Sequence, residues 1–236
     1  MGKVLMSGIV PKLSVPTNVV PLGDVAVGSS VFLNVGGEPR EFLVVHRGLP
    51  SSMYNSSCDG IWLLMKDVYT YGYWYADSSH NQYNYSTVHS WLNNTFLNSL
   101  DSEVKNIVKS VSIPYSAGTK GDGGIQQLST KAFLLSAYEV GFTWDNVSNS
   151  SHLPKDGDCL SYFSGATNAK RVAYLKNGNA ATWWNRTNSR YYSSNAWYVT
   201  TAGSYGDQSI RTTGGYRPAL ILPYDAIVNN DGLIVG

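Results

Sequence analysis

An α+β fold is predicted for this chain of 236 residues, and three observations predict it. Short apolar runs recur along most of the chain without the regular strand–helix alternation of a doubly wound sheet. Two stretches near the middle place apolar residues at helical spacing. Long polar segments separate the last apolar runs. The expected architecture is short, mostly antiparallel strands, two helices and long loops.

Taken in order, residues 1–22 contain Pro11, Pro16 and Pro21 among short Val/Leu pairs. They read as an extended arm or linker, with the domain spanning 23–236. Val31-Phe32-Leu33, Gly36-Gly37 and Glu41 to Val45 predict a β-hairpin with a glycine turn. Ile61 to Met65 is an apolar run with the length of a central strand. A tyrosine-dense polar stretch, 69–85, leads to Ser86, a candidate N-cap. Beyond it Val88, Trp91, Leu92, Phe96 and Leu100 share a helix face. A second helix is expected over 102–111, stopped by Pro114. The glycine-rich loop 116–124 reads as mobile, and Ala132 to Leu135 as a strand. Ser136 and Glu139 form a capping box, so a helical turn should follow. Residues 143–170 read as loop. Val172–Leu175, 181–186, 197–200 and 218–222 read as short strands, with a closing hairpin around Asn229 to Gly232.

Composition narrows the function classes. Charged residues make up 14%, against about 25% in ordinary globular proteins, and the net charge is +1. No basic face for a phosphate backbone is foreseen, so nucleic acid is not an expected partner. No run approaches the roughly 20 apolar residues of a membrane span. The N-terminal stretch lacks the apolar core of a signal peptide, so delivery by another route than general secretion is expected. Cys58 and Cys159 show no metal-ligand spacing, and whether they pair stays open. Asp122 is one carboxylate, too few for a Ca²⁺ site; Asp156-Gly157-Asp158 is a better candidate but reads as a plain polar turn, and whether a Ca²⁺ ion is bound stays open. No catalytic motif surrounds His46, His80, His89 or His152, and no cofactor is implied.

The segment 185–216 carries the functional signal. More than half of it is Asn, Ser, Thr or Tyr, and it contains neither Lys nor Glu. Binding loops use this alphabet: Tyr gives broad amphipathic contact, and small polar residues give adaptable hydrogen bonds.

The C-terminal residues also carry a resemblance. Ala181-Thr182-Trp183-Trp184-Asn185-Arg186-Thr187, Ala196-Trp197-Tyr198-Val199, Gly203 and Gly215-Tyr216-Arg217-Pro218-Ala219-Leu220 resemble a domain family of unassigned function. Its pattern is W-W-L-R-S-P, A-x-x-V, G and G-V/I-R-P-A. The family occurs in gut bacteria and their phages, and is similar to the formylglycine-generating-enzyme branch of the C-type-lectin-like fold. In phages such domains often serve as the variable protein of a diversity-generating retroelement, which copies a template with errors at adenines. The resemblance covers roughly residues 23–236. It departs at Asn185 (usually Leu), at Thr187-Asn188 (usually Ser-Pro) and at Tyr216 (usually Val or Ile).

The resemblance implies a division within a variable region over about 181–223. Trp183, Trp184, Trp197, Val199, Ile210 and Pro218 are expected to form the frame. Arg186 and Arg217 tie loops or bind an anion. One exposed ligand face is expected from Asn185, Thr187, Asn188, Arg190, Tyr191, Tyr192, Ser193, Asn195, Tyr198, Thr200, Thr201, Ser204, Tyr205, Asp207, Ser209, Arg211, Thr212, Thr213 and Tyr216. The implied role is hypervariable recognition of a bacterial surface protein or glycan by a protein on a phage tail, without enzyme activity of its own. The arm would meet other tail proteins. A bacterial surface adhesin, a formylglycine-type enzyme with paired reactive cysteines, and a structural tail domain are the alternatives.

Overall fold

The computed structural model describes residues 19–77, 79–148 and 150–235. It is α+β with mostly antiparallel strands, as the sequence predicts. The arm expected over 1–22 falls outside the described residues up to residue 18. Its last residues belong to the domain: Val20–Pro21 pairs with Ile227–Val228, and Leu22 is fully buried.

Two five-stranded sheets build the frame. The first has the order Ser30–Val35, Glu38–Arg47, Ile61–Met65, Ala219–Leu222, Ala132–Phe133, all antiparallel. The hairpin turn is Gly36-Gly37, with φ of +64° and +77°. Two successive positive φ values explain why both positions are glycine. Ile61–Met65 is buried at every position because both faces are covered. On one side Ile61, Leu63 and Met65 join a core with Val88, Leu92 and Phe96 of the helical run. On the other, Trp62 and Leu64 meet Phe133, Trp183 and Trp197.

The second sheet has the order Tyr205–Ser209, Asn195–Val199, Trp183–Asn188, Thr213–Tyr216, Thr70–Tyr73. Only the pairing of Trp183–Asn188 with Thr213–Tyr216 is parallel. Alternation along Asn195–Val199 sends Trp197 and Val199 to one core and Ala196, with half-buried Tyr198, to the other.

The first helix begins as expected, with Ser86 Oγ accepting from the His89 N–H at 3.2 Å. Its run is Thr87–Trp91, a π-helical turn Leu92–Phe96, and Leu97–Ser99. Within it the Asn93 amide nitrogen donates to His89 O at 3.0 Å and to Ala132 O at 2.9 Å. The wider turn thereby binds the helix to the edge of the first sheet.

The second helix is shorter than the expected 102–111. It spans Ser102–Ile107, and Val108 is already non-helical. Val111–Ser116 is a strand instead, paired with Ile125–Thr130. Pro114 sits inside that strand rather than ending the helix. A two-stranded ribbon tolerates it because each strand has a free edge. The glycine-rich loop, expected to be mobile, closes this hairpin and is tied to the body: Lys120 N–H donates to Asn81 Oδ1 at 2.9 Å, and Gln82 Nε2 to Thr119 Oγ1 at 3.1 Å.

Candidate ligand-binding surface

The strand Trp183–Asn188 is buried at all six positions although four of its residues are polar. Arg186 explains much of this. Its guanidinium donates to the carbonyls of Pro114 (3.1 Å), Leu134 (3.1 Å) and Asp156 (3.0 Å). It also forks onto both Glu139 oxygens, at 2.6 and 2.7 Å. Glu139 at the same time accepts from the Ser136 N–H (2.8 Å) and the Tyr54 hydroxyl (2.8 Å). A buried ion pair persists only when its remaining donors and acceptors are satisfied, as they are here. The capping-box glutamate therefore doubles as a buried counter-ion. Burial alone lowers the Arg186 pKa, but Glu139 beside it more than offsets that and leaves it above its ordinary value. Arg217 is buried too. Its Nε donates to Met65 O at 2.8 Å, and its guanidinium lies 4.7 Å from the Trp183 ring centroid. Of the two roles open to these arginines, tying loops is the one their burial permits.

Four residues expected on the exposed face are corrected by this burial. Asn185 is fully enclosed. Thr187 Oγ1 donates to Asp156 Oδ1 at 2.9 Å and accepts from the Ala137 N–H at 2.8 Å. Asn188 Nδ2 reaches the carbonyls of Asn81, Ser116 and Gly118 at 3.0–3.3 Å. Tyr216 is 4% exposed, its ring 5.1 Å from Trp91 and its hydroxyl donating to Tyr73 O. Each lies in a strand with cores on both sides; Thr187, Asn188 and Tyr216 turn their polar atoms inward to distant partners, and the amide of Asn185 has none.

The rest divide by place. Thr200, Thr201 and Ser204 form the turn between Asn195–Val199 and Tyr205–Ser209, closed by Thr200 N–H to Ser204 O at 2.8 Å. That turn lies at one end of strand Asn195–Val199, and the loop 189–194 lies at the other. The expected face therefore reaches from one end of the strand to the other, about 16 Å for five residues, along the partly exposed edge strand Tyr205–Ser209. Tyr205 and Tyr198 are half-buried. Tyr205 packs 5.6 Å from Phe142, and its hydroxyl accepts from the Ser148 N–H at 2.8 Å. Tyr198 meets Trp184 at 6.1 Å.

At the loop end, Tyr191 and Tyr192 are 57% and 47% exposed, and Arg190 is exposed. Tyr191 stacks on His152, with centroids 4.5 Å apart and planes at 12°; Tyr192 stands edge-on to Tyr191 at 4.6 Å. The backbone beneath is fixed. Arg190 N–H donates to His152 O at 2.9 Å, and Ser189 Oγ donates to Asp207 Oδ2 at 2.9 Å. Buried Asn81 sends its amide nitrogen to the carbonyls of Ser189 (2.9 Å), Tyr192 (3.0 Å) and Asn195 (2.7 Å). Its own N–H donates to Ser193 O at 2.7 Å. Asn195 pairs with Ser209, so the exposed turn of Arg211, Thr212 and Thr213 follows at this same end.

Sequence reasoning missed Trp144, His152 and Asn81 as parts of this surface. Trp144 is 53% exposed and flanks a cavity of about 320 Å³ with Ser150, Ser151 and Arg190. A lone Trp in a loop-rich stretch was the available signal. Asp156, read as part of a polar turn, is fully buried. Burial raises its pKa to about 7 against the lowering effect of Arg186.

Cys58 is buried and Cys159 exposed; both are free. Burial pushes the Cys58 thiol up to about 11, and Cys159 is also raised. Neither has the lowered pKa of a reactive thiol. Among the described residues no three His, Cys, Asp or Glu side chains gather to hold a metal ion, and no helix is long and apolar enough to cross a membrane.

The sequence model of one family, described as a domain of unknown function (DUF6273), matches residues 59–224. No curated protein and no solved structure matches the chain.

Proposed function

We propose, for a chain that belongs to the DUF6273 family of domains of unknown function, that it is a ligand-binding protein whose recognition surface is the loop end of its second sheet. One observation carries this reading: two large rings, Tyr191 and Tyr192, stand in solvent on a backbone that a buried asparagine and a neighbouring loop hold in place. Exposed aromatics on a preorganised loop give contact area at small entropic cost. Loops on a rigid frame are the usual seat of binding residues.

The wider reading is hypervariable recognition of a bacterial surface protein or glycan, on a phage tail fibre, by a C-type-lectin-like domain diversified by a retroelement. Its support is the residue alphabet of 185–216 and the C-terminal motifs. On this reading the useful diversity sits at Arg190 to Ser193, Asn195 and Arg211 to Thr213. Substitutions at buried Asn185, Thr187, Asn188 and Tyr216 would alter the frame instead.

Two measurements test the proposal. Labelled chain is mixed with a panel of gut bacterial cells: selective binding that Tyr191→Ala/Tyr192→Ala abolishes is expected, and binding unchanged by that pair of substitutions refutes it. The retroelement part requires a near-copy of the 181–223 coding region, differing mainly at adenines, beside a reverse transcriptase gene. A locus without one removes that part.

A further inference from the structure

We propose that the cavity beside Trp144 takes an acidic sugar, a pyranose ring bearing a carboxylate, as a unit of a surface glycan. This rests on the ligand-binding reading above and narrows it to a chemical class.

The cavity holds about 320 Å³ and is lined by Trp144, Ser150, Ser151 and Arg190. That is the small end of the ligand-pocket range, suited to a sugar unit rather than to a strand or helix of a protein partner. Trp144 keeps half its surface in water, but its indole is not loose: Nε1–H donates to Leu153 O at 2.7 Å. The ring's one polar group is thus turned inward and fixed, leaving the apolar ring available. An indole face is electron-rich and attracts the positively polarised C–H groups on the flat side of a pyranose. Ser150 and Ser151 bring hydroxyls, which both donate and accept, as sugar hydroxyls require.

Arg190 supplies the charge. It is exposed, and among the described residues no carboxylate pairs with its guanidinium. A planar fork of donors matches a carboxylate. Its main chain is held by the N–H bond to His152 O at 2.9 Å, which joins the two loops that wall the cavity. Arg190 and Trp144 therefore line one cavity from loops that this bond joins. The lining has one aromatic plane, two hydroxyls and one cation. A polar ring with one apolar face and one negative charge complements that set.

The test is an NMR titration of the full chain with sodium glucuronate, glucose and sodium acetate at constant ionic strength. The Trp144 indole N–H peak is assigned by its loss in Trp144→Phe. Glucuronate is expected to shift that peak with millimolar affinity, roughly tenfold tighter than glucose, and acetate to leave it in place. Arg190→Gln should bring glucuronate and glucose to the same affinity, while Trp144→Ala, read at the Ser150 and Ser151 backbone amides, loses both with the remaining spectrum preserved. An unmoved Trp144 peak, an equal response to both sugars, or an equal response to acetate overturns the proposal. Should glucuronate fail while Tyr191→Ala/Tyr192→Ala still abolishes cell binding, the acidic-sugar inference falls and the ligand-binding reading stands. If that double variant binds cells like the parent, the broader reading fails on its own evidence.

Discussion

Asn185 is fully buried, and neither its amide nitrogen nor its oxygen has a hydrogen-bond partner. An enclosed polar group left unpaired costs about 1–3 kcal/mol. The family resemblance places Leu there, which has nothing to satisfy. Asn185→Leu is therefore expected to raise the stability of the chain by that amount in urea unfolding; a loss would mean the amide has a partner that the geometry does not reveal. Asp156 gives a second prediction. Burial raises its pKa from 3.8 to about 7, so between those values the folded chain keeps a proton that the unfolded chain releases. Its contribution to stability is complete below about pH 4 and is lost as pH rises through 7. The slope is on the order of 1.4 kcal/mol per pH unit within that window. Asp156→Asn imitates the protonated form and should remove this decline, so the parent and variant stability curves diverge as pH rises towards 8. Parallel curves would assign the slope elsewhere. Neither residue could be placed from the sequence, because Asp156 in a Gly-flanked turn and Asn185 in a polar stretch both read as surface.

At the scale of elements, local signals were legible and long-range ones were not. The Gly36-Gly37 hairpin, the Ile61–Met65 strand, the Ser86 cap and the Ser136–Glu139 capping box follow from residues a few positions apart. Strand Trp183–Asn188 was found, but not its burial. Arg186 is satisfied by Pro114, Leu134, Glu139 and Asp156, all far away in the sequence. Strands Thr70–Tyr73, Ile125–Thr130 and Tyr205–Ser209 lack a clean apolar alternation because each lies at an edge or in a two-stranded ribbon. The recognition loop shows the same limit: its exposed tyrosines were legible, whereas its support, Asn81, lies more than a hundred residues earlier. Asn81→Ala should leave the sheets intact but cost about 1–3 kcal/mol for carbonyls left unpaired. Hydrogen exchange should then speed up selectively in residues 189–195. Protection unchanged in that loop would mean that Asn81 does not hold it.

Across the whole molecule, two sheets with apolar cores on their faces carry a small solvent-facing patch. Of the five tyrosines expected to meet a ligand, Tyr191 and Tyr192 are exposed, Tyr198 and Tyr205 are half-buried, and Tyr216 is inside. The central claim is thus narrower than the sequence implied: the frame does not depend on the rings at positions 191 and 192. Thermal unfolding of Tyr191→Ala/Tyr192→Ala, beside Tyr216→Ala as the buried comparison, tests it most directly. The account predicts that the double variant keeps its Tm within about 2 °C of the parent while Tyr216→Ala loses about 4 °C or more. A double variant that falls as far as Tyr216→Ala would contradict it, because those two rings would then be part of the core.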